Sequence, residues 1–228
     1  MDYLTYIVAA VVGYLLGSVP CGYLVAKAHG VDIFKVGSGN PGATNVKRVL
    51  GAKAGNTVFA FDILKGAVAA GWFKLYSLVF KGSLFHANDL TPVDPDLVLW
   101  MGLAGVVAAV FGHSFSVFTQ FKGGKGVATA AGGLVVLIPV ACLTGAVLWV
   151  LTYYSTRYVS LASIMAAVAV PATSWILGNP LPLNIVATVL GLFVIYRHRA
   201  NIGRLLTGTE NRFVKKSSQS GEKERPGL

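Results

Sequence analysis

The chain has 228 residues, of which 54% are hydrophobic and 12% charged, with a mean hydropathy of +0.65; this is far more apolar than a soluble domain of the same size. The net charge of +10 sits in short cationic clusters between apolar runs, which excludes a continuous nucleic-acid-binding face and reads as topology signals and anion sites. The two cysteines, Cys21 and Cys142, lie inside apolar stretches, so neither a disulfide framework nor a zinc site is expected.

A membrane helix needs about 20 mostly apolar residues, and six runs approach that length: 3–26, 56–80, 97–118, 127–156, 159–178 and 182–197. The first lacks a basic n-region and outruns a signal-peptide core, so it is expected to remain as a span. The fourth is long for one crossing and carries Gly132, Gly133 and Pro139. The sixth is short and follows Pro180 and Pro182. Broken or half-length helices are expected in both places.

Cation placement sets the orientation. Lys27, Lys35, Lys47, Arg48 and Lys53 crowd 27–55 against Asp32 alone, and Arg197, Arg199, Arg204, Arg212, Lys215 and Lys216 follow the last run. Both regions are expected to be cytoplasmic. The segment 81–96, with Lys81 against Asp89, Asp94 and Asp96, suits the outer side. An outer N-terminus and a cytoplasmic C-terminus require an odd number of crossings, so the expected fold is an all-α polytopic bundle of about seven membrane helices with 127–156 divided. Residues 1–216 form the membrane domain, and the polar stretch 217–228 is expected to be a disordered tail.

Two loops carry phosphate-binding chemistry. In the first, Gly37, Ser38, Gly39, Asn40, Pro41, Gly42, Ala43, Thr44 and Asn45 precede Lys47 and Arg48. Glycines let backbone wrap an anion, Pro41 suits a first helical turn, and the opening amides of the following helix would point at a phosphate. Ser38, Thr44 and Asn45 add neutral hydrogen bonds, and Arg48 adds a planar fork. The second, Phe121-Lys122-Gly123-Gly124-Lys125-Gly126-Val127-Ala128-Thr129, repeats that logic with Lys125 as a point charge. Each loop by itself also reads as a cytoplasmic turn. Two on one predicted face would hold two phosphate groups together.

These blocks, together with Gly17-Ser18-Val19-Pro20-Cys21-Gly22, Gly112-His113, Ser160-Leu161-Ala162-Ser163 and Tyr196-Arg197-His198-Arg199-Ala200-Asn201-Ile202, resemble the bacterial acyl-phosphate:glycerol-3-phosphate acyltransferases, the PlsY family. The resemblance covers nearly the whole chain up to the polar tail. It implies an all-helical enzyme of the bacterial cytoplasmic (inner) membrane, without metal or nucleotide cofactor, whose site faces the cytoplasm. The substrates it implies are acyl phosphate and glycerol 3-phosphate, and the product is 1-acyl-glycerol 3-phosphate. It further implies that Ser38, Thr44 and Arg48 hold glycerol 3-phosphate while Lys125, His198 and Asn201 complete a catalytic set. Gly37, Gly39, Asn40, Gly42, Asn45, Gly123, Gly124, Gly126 and Ser163 are expected to bind substrate. The chain is expected to act as a monomer in membrane lipid.

Four ionisable residues are expected to support the site. Asp62 and Lys65 lie one turn apart within the membrane, where ionisable groups are costly unless functional, and read as a supporting pair. His113 is expected to brace the second loop. Glu210 reads either as a partner for a cytoplasmic arginine or as a solvated acid. His198 and Asn201, three residues apart, share a helix face; an interfacial snorkelling cluster is the plainer reading of the same pair.

No Gly-x-Ser-x-Gly elbow is present and neither cysteine has a cationic setting, so direct attack by the glycerol hydroxyl on the mixed anhydride is expected. The base is either a substrate phosphate oxygen or His198. Rival readings are an organic-phosphate transporter, which broken helices and charges at depth also suit, and a small lipid-binding membrane protein. The gly-ala surfaces 102–109 and 127–133 are expected to allow close helix approach with room for an acyl chain.

Overall fold

A computed structural model describes residues 3–80 and 94–213. Among these the secondary structure is helical throughout: α1 Tyr3–Ser18, α2 Cys21–Ala28, α3 Ala43–Leu50, α4 Ala52–Phe80, α5 Pro95–Ser114, α6 Val127–Leu137, α7 Pro139–Thr156, α8 Val159–Ile176, α9 Leu181–Arg197 and α10 Arg199–Leu206, with a 3₁₀ turn at Val117–Thr119. Four stretches are long and apolar enough to cross a bilayer, Tyr3–Ala28, Pro95–Thr119, Pro139–Thr156 and Val159–Ile176, and α9 with α10 adds a bent fifth. α4 has 29 residues but carries Asp62 and Lys65 in its middle. The segment 81–93, including Lys81 and Asp89, and the tail 217–228 with Lys215 and Lys216 before it, lie outside the described residues.

The run 127–156 does divide. Pro139 cannot donate the backbone hydrogen bond that would continue α6, and Ile138 both ends α6 and opens α7. At 11 residues, α6 is about 16 Å long, roughly half of a hydrocarbon core. The sixth run departs from expectation: Pro180 and Pro182 do not shorten it but sit at the cap and first turn of α9, a helix of 17 residues, where a missing N–H costs nothing. The break comes instead at His198, where α10 turns away by 57°. Pro41 likewise lies one residue before the Gly42 cap of α3, outside the first turn.

Close glycine contacts hold the bundle together. The buried stripe Thr5, Ala9, Gly13 and Gly17 of α1 recurs every four residues, and a Cβ on Gly13 would stand 2.5 Å from the Gly105 carbonyl oxygen of α5. α4 and α6 interlock reciprocally, Gly66 against the Thr129 backbone and Gly132 against that of Ile63. With no apolar gain available against lipid tails, such backbone approach is the main source of helix association. The surface 102–109 is spent here, packed on Ala69 and Ala70 of α4, and none of its residues lines the main cavity. Expected room for an acyl chain is therefore absent there. Open apolar space lies instead among α6, α7, α8 and α9.

Candidate active site

A cavity of about 670 Å³ opens where α3, α4 and α6 to α10 converge. Its polar end collects most of the residues singled out in the sequence: Ser38, Asn40, Gly42, Thr44, Asn45 and Arg48 from the first loop and α3, Lys125 and Gly126 from the second loop, Ser163 from α8, His198 and Asn201 from the α9–α10 bend, and Asp62, His113 and Glu210. Its other end is a gallery of apolar side chains between α6 and α9.

The first loop owes its shape to glycine. Gly37 and Gly39 adopt φ of +60° and +66°, which other residues adopt only with strain. Neither lines the cavity. Asn45, buried, accepts from the Ser38 amide at 2.9 Å and donates to the Val36 carbonyl at 3.0 Å, and Asn40 accepts from the Gly42 amide at 2.9 Å. Both asparagines thus organise the loop rather than face a ligand with their full hydrogen-bonding capacity. Ala43 and Thr44, the opening residues of α3, line the cavity, where a first turn leaves amides without helical partners. Arg48 is exposed and lies 5.4 Å from the Phe213 ring centroid.

The second loop departs from expectation. Gly123 and Gly124 turn toward α5 rather than the cavity: the Gly124 amide donates to the His113 carbonyl at 3.1 Å, and a side chain on either glycine would strike His113 or Ser114. Their carbonyls accept from Arg197 at 3.3 and 2.8 Å. These two glycines permit packing, while Gly126, at φ +82°, caps α6 and lines the cavity. His113 therefore does brace this loop. Its ring also approaches Asp62 at 3.5 Å, and Asp62 pairs with Lys65 at 2.9 Å, all three side chains being no more than 9% exposed. Lys65 donates in addition to the Val19 carbonyl at 3.1 Å, tying the junction of α1 and α2 to the same cluster.

Lys125 and Asn201 form the centre of the polar end. Lys125 Nζ donates to Asn201 Oδ1 at 2.5 Å; Asn201 Nδ2 donates to Glu210 Oε1 at 2.8 Å. Ser160 donates to the same Glu210 oxygen at 2.9 Å, and Arg204 holds the other at 2.7 Å. Glu210 is thus an arginine partner whose side chain is 7% exposed, not a solvated acid. Burial pushes its carboxyl upward, but the three donors outweigh this and its pKa is lowered. Burial draws the Lys125 ammonium down to about 8 against the supporting charge of Glu210. His198 Nδ1 lies 2.8 Å from the Val194 carbonyl, which only accepts, so Nδ1 carries the proton and Nε2 is left as an acceptor.

Ser163 lines the cavity, but its hydroxyl donates to Val159 at 2.8 Å and accepts from Trp149 at 3.2 Å, joining α7 to α8. Asn56, Ser160, Arg204 and Asn211 also line the cavity without having been singled out as site residues. Ser160 belongs to the Ser160-Leu161-Ala162-Ser163 stretch and Arg204 to the C-terminal cationic cluster, whereas Asn56 and Asn211 carry no local signal of their own. Among the described residues, no three His, Cys, Asp or Glu side chains come together, and Cys21 and Cys142 are free and buried.

Residues 7–208 match the family model for glycerol-3-phosphate acyltransferase. The chain is 42% identical over 216 residues to a glycerol-3-phosphate acyltransferase of Synechococcus elongatus, covering 94% of this chain and 98% of that one. It is 44% identical over 200 residues to that of Aquifex aeolicus, covering 88% and 95%. Its fold is similar to the crystal structure of PlsY (YgiH), an integral membrane glycerol 3-phosphate acyltransferase, in its glycerol 3-phosphate form, with a TM-score of 0.79, 40% identity and coverage of 92% and 96%. The lysophosphatidic acid form of that protein gives 0.75.

Proposed function

The chain belongs to the PlsY family of integral membrane glycerol-3-phosphate acyltransferases, and from that premise we propose that it transfers a fatty acyl group from acyl phosphate to the 1-hydroxyl of glycerol 3-phosphate. The products are 1-acyl-glycerol 3-phosphate, a lysophosphatidic acid, and inorganic phosphate. The observation that carries this reading is one cavity whose cationic end, with Arg48, Lys125 and Arg204, continues into an apolar gallery. Such a cavity matches a substrate pair with two phosphates and one long chain.

Glycerol 3-phosphate lies against Ser38, Thr44 and the guanidinium of Arg48, beside the opening amides of α3. The phosphate of the donor lies by Lys125 and the start of α6. Holding both removes much of the entropic barrier, and fixed donors stabilise the charge moving onto the departing phosphate. The hydroxyl oxygen bonds to the acyl carbonyl carbon, the carbon–oxygen bond to phosphate breaks, and the hydroxyl proton passes to a phosphate oxygen. A donor phosphate held beside the attacking hydroxyl is the nearer proton acceptor, and His198, anchored through Nδ1 to the Val194 carbonyl, has a positioning role. The active face is cytoplasmic, in the inner membrane of a bacterium, and a single copy suffices.

Purified protein in detergent tests the reading: phosphate release from acyl phosphate should require glycerol 3-phosphate and yield an equimolar acyl product. Substrate uptake into vesicles without turnover would instead support a transporter. Binding without either would leave a lipid-binding protein.

A further inference from the structure

The gallery has a floor. One stripe from each of α6, α7, α8 and α9 lines it, and the lining residues farthest along those helices from the polar end are Leu134, Cys142, Pro171 and Ala187. Leu134, Cys142 and Ala187 belong to one buried cluster with Ile138, Ala141 and Leu183, and these last three do not line the cavity. One turn beyond Pro171, Ser174 donates to Asn184 at 2.6 Å, and Asn184 donates onward to the Asn179 carbonyl at 2.7 Å. Ser174 and Asn184 are 0% and 3% exposed. An alkyl chain pushed past Pro171 would have to part a close-packed apolar layer and strip a buried polar pair of its partners, both costly.

The depth is readable from helix register. Ser160 to Pro171 on α8, His198 to Ala187 on α9 and Tyr153 to Cys142 on α7 each run from the polar end to the floor, and every interval corresponds to about 16 Å at about 1.5 Å per residue. An extended alkyl chain advances about 1.3 Å per carbon when its bonds are about 1.5 Å long. About 12 to 13 such steps fit, so the gallery seats an acyl chain of about 13 to 14 carbons.

We propose that Cys142 and Ala187, with Leu134 opposite them, are specificity-determining residues that set the longest acyl chain this protein seats in full. The inference rests on the proposed acyl-transfer reading. Because the reference state of the chain is lipid or detergent, seated methylenes gain little; discrimination comes from overfilling, which in packed cores corresponds to factors of about 5 to 150.

The test is a chain-length profile with acyl phosphates of about 10 to 18 carbons, alongside the melting-temperature shift given by lysophosphatidic acids of the same lengths, chain lengths chosen to bracket the estimate above. In the wild-type protein kcat/KM and the melting shift should both fall beyond about 14 carbons, the former at least about fivefold by 18. Ala187→Leu and Cys142→Leu should each move that fall about two to four carbons shorter, and Leu134→Ala should move it longer. The opposite directions keep the test decisive if one variant fails to fold. Loss of turnover at every length in the wild type, with the length-dependent melting shift preserved, would overturn the acyl-transfer reading and leave the floor standing. Flat profiles in both measurements, or variants that leave them unmoved, would overturn the floor.

Discussion

Lys125 Nζ and Asn201 Oδ1 meet at 2.5 Å although 76 residues separate them, and the amide between lysine and carboxylate can point only one way. Glu210 is acceptor-only when ionised, so Asn201 turns its NH₂ toward Glu210 and its oxygen toward Lys125. The charge of Lys125 is present below its pKa of about 8 and lost as pH rises through it. The kcat/KM for acyl phosphate should therefore fall above about pH 8, and Glu210→Gln, which removes the carboxylate supporting that charge, should shift the fall to lower pH. A profile that stays level well above about 8 would mean that the charge of Lys125 is not required.

His198 separates two mechanisms by the fate of an acidic limb. If His198 were the base, the limb would belong to its imidazole and disappear in His198→Gln along with a roughly 100-fold or greater part of kcat. With substrate phosphate as the base, the limb belongs to the substrate and survives, and the substitution acts mainly on KM. We expect the second pattern. A collapse of kcat with KM unchanged would make His198 the base.

Arg48 lies 5.4 Å from the Phe213 ring centroid and lines the cavity with its neighbours Thr44 and Lys47. Arg48→Lys keeps the charge but loses the planar fork, so the KM for glycerol 3-phosphate should rise roughly tenfold to a hundredfold, the worth of one charge-assisted hydrogen bond. Steady-state kinetics at saturating acyl phosphate measures it. Unchanged constants would leave Arg48 a topology signal only.

Asp62 and Lys65 form a buried pair at 2.9 Å. Asp62→Asn strands a buried ammonium and should cost about 3–5 kcal/mol, whereas Asp62→Leu with Lys65→Met should cost much less. Thermal unfolding in detergent would show it. Equal destabilisation in both variants would mean that neighbouring groups, not the pair, hold this region together.

Topology is accessible through thiol labelling, because both natural cysteines are buried. Lys53 and Lys122 are exposed beside the two loops, and cysteines placed there should react with a membrane-impermeant reagent only after the cells are opened. Labelling in intact cells would place these loops outside.

Much of the architecture was legible along the chain because its signals are local. Apolar runs mark helices, Pro139 divides 127–156 because a proline cannot continue the backbone ladder, and glycines at 37, 39, 42 and 126 mark turns and caps next to cations. The ion pair of Asp62 with Lys65 was readable from one turn of spacing. Tertiary structure alone decided which of these signals meet. Gly123 and Gly124 look like an anion cradle but pack on His113, and Glu210, which reads either as an arginine partner or as a solvated acid, draws Asn201, Ser160 and Arg204 together. Pro180 and Pro182 look like breakers, yet they open α9, and the break falls at His198. The apolar gallery was hidden for a different reason. In a helix that is apolar on every side, hydropathy does not distinguish a face toward lipid, a face toward another helix and a face toward a cavity; only the packing of α6 to α9 separates them.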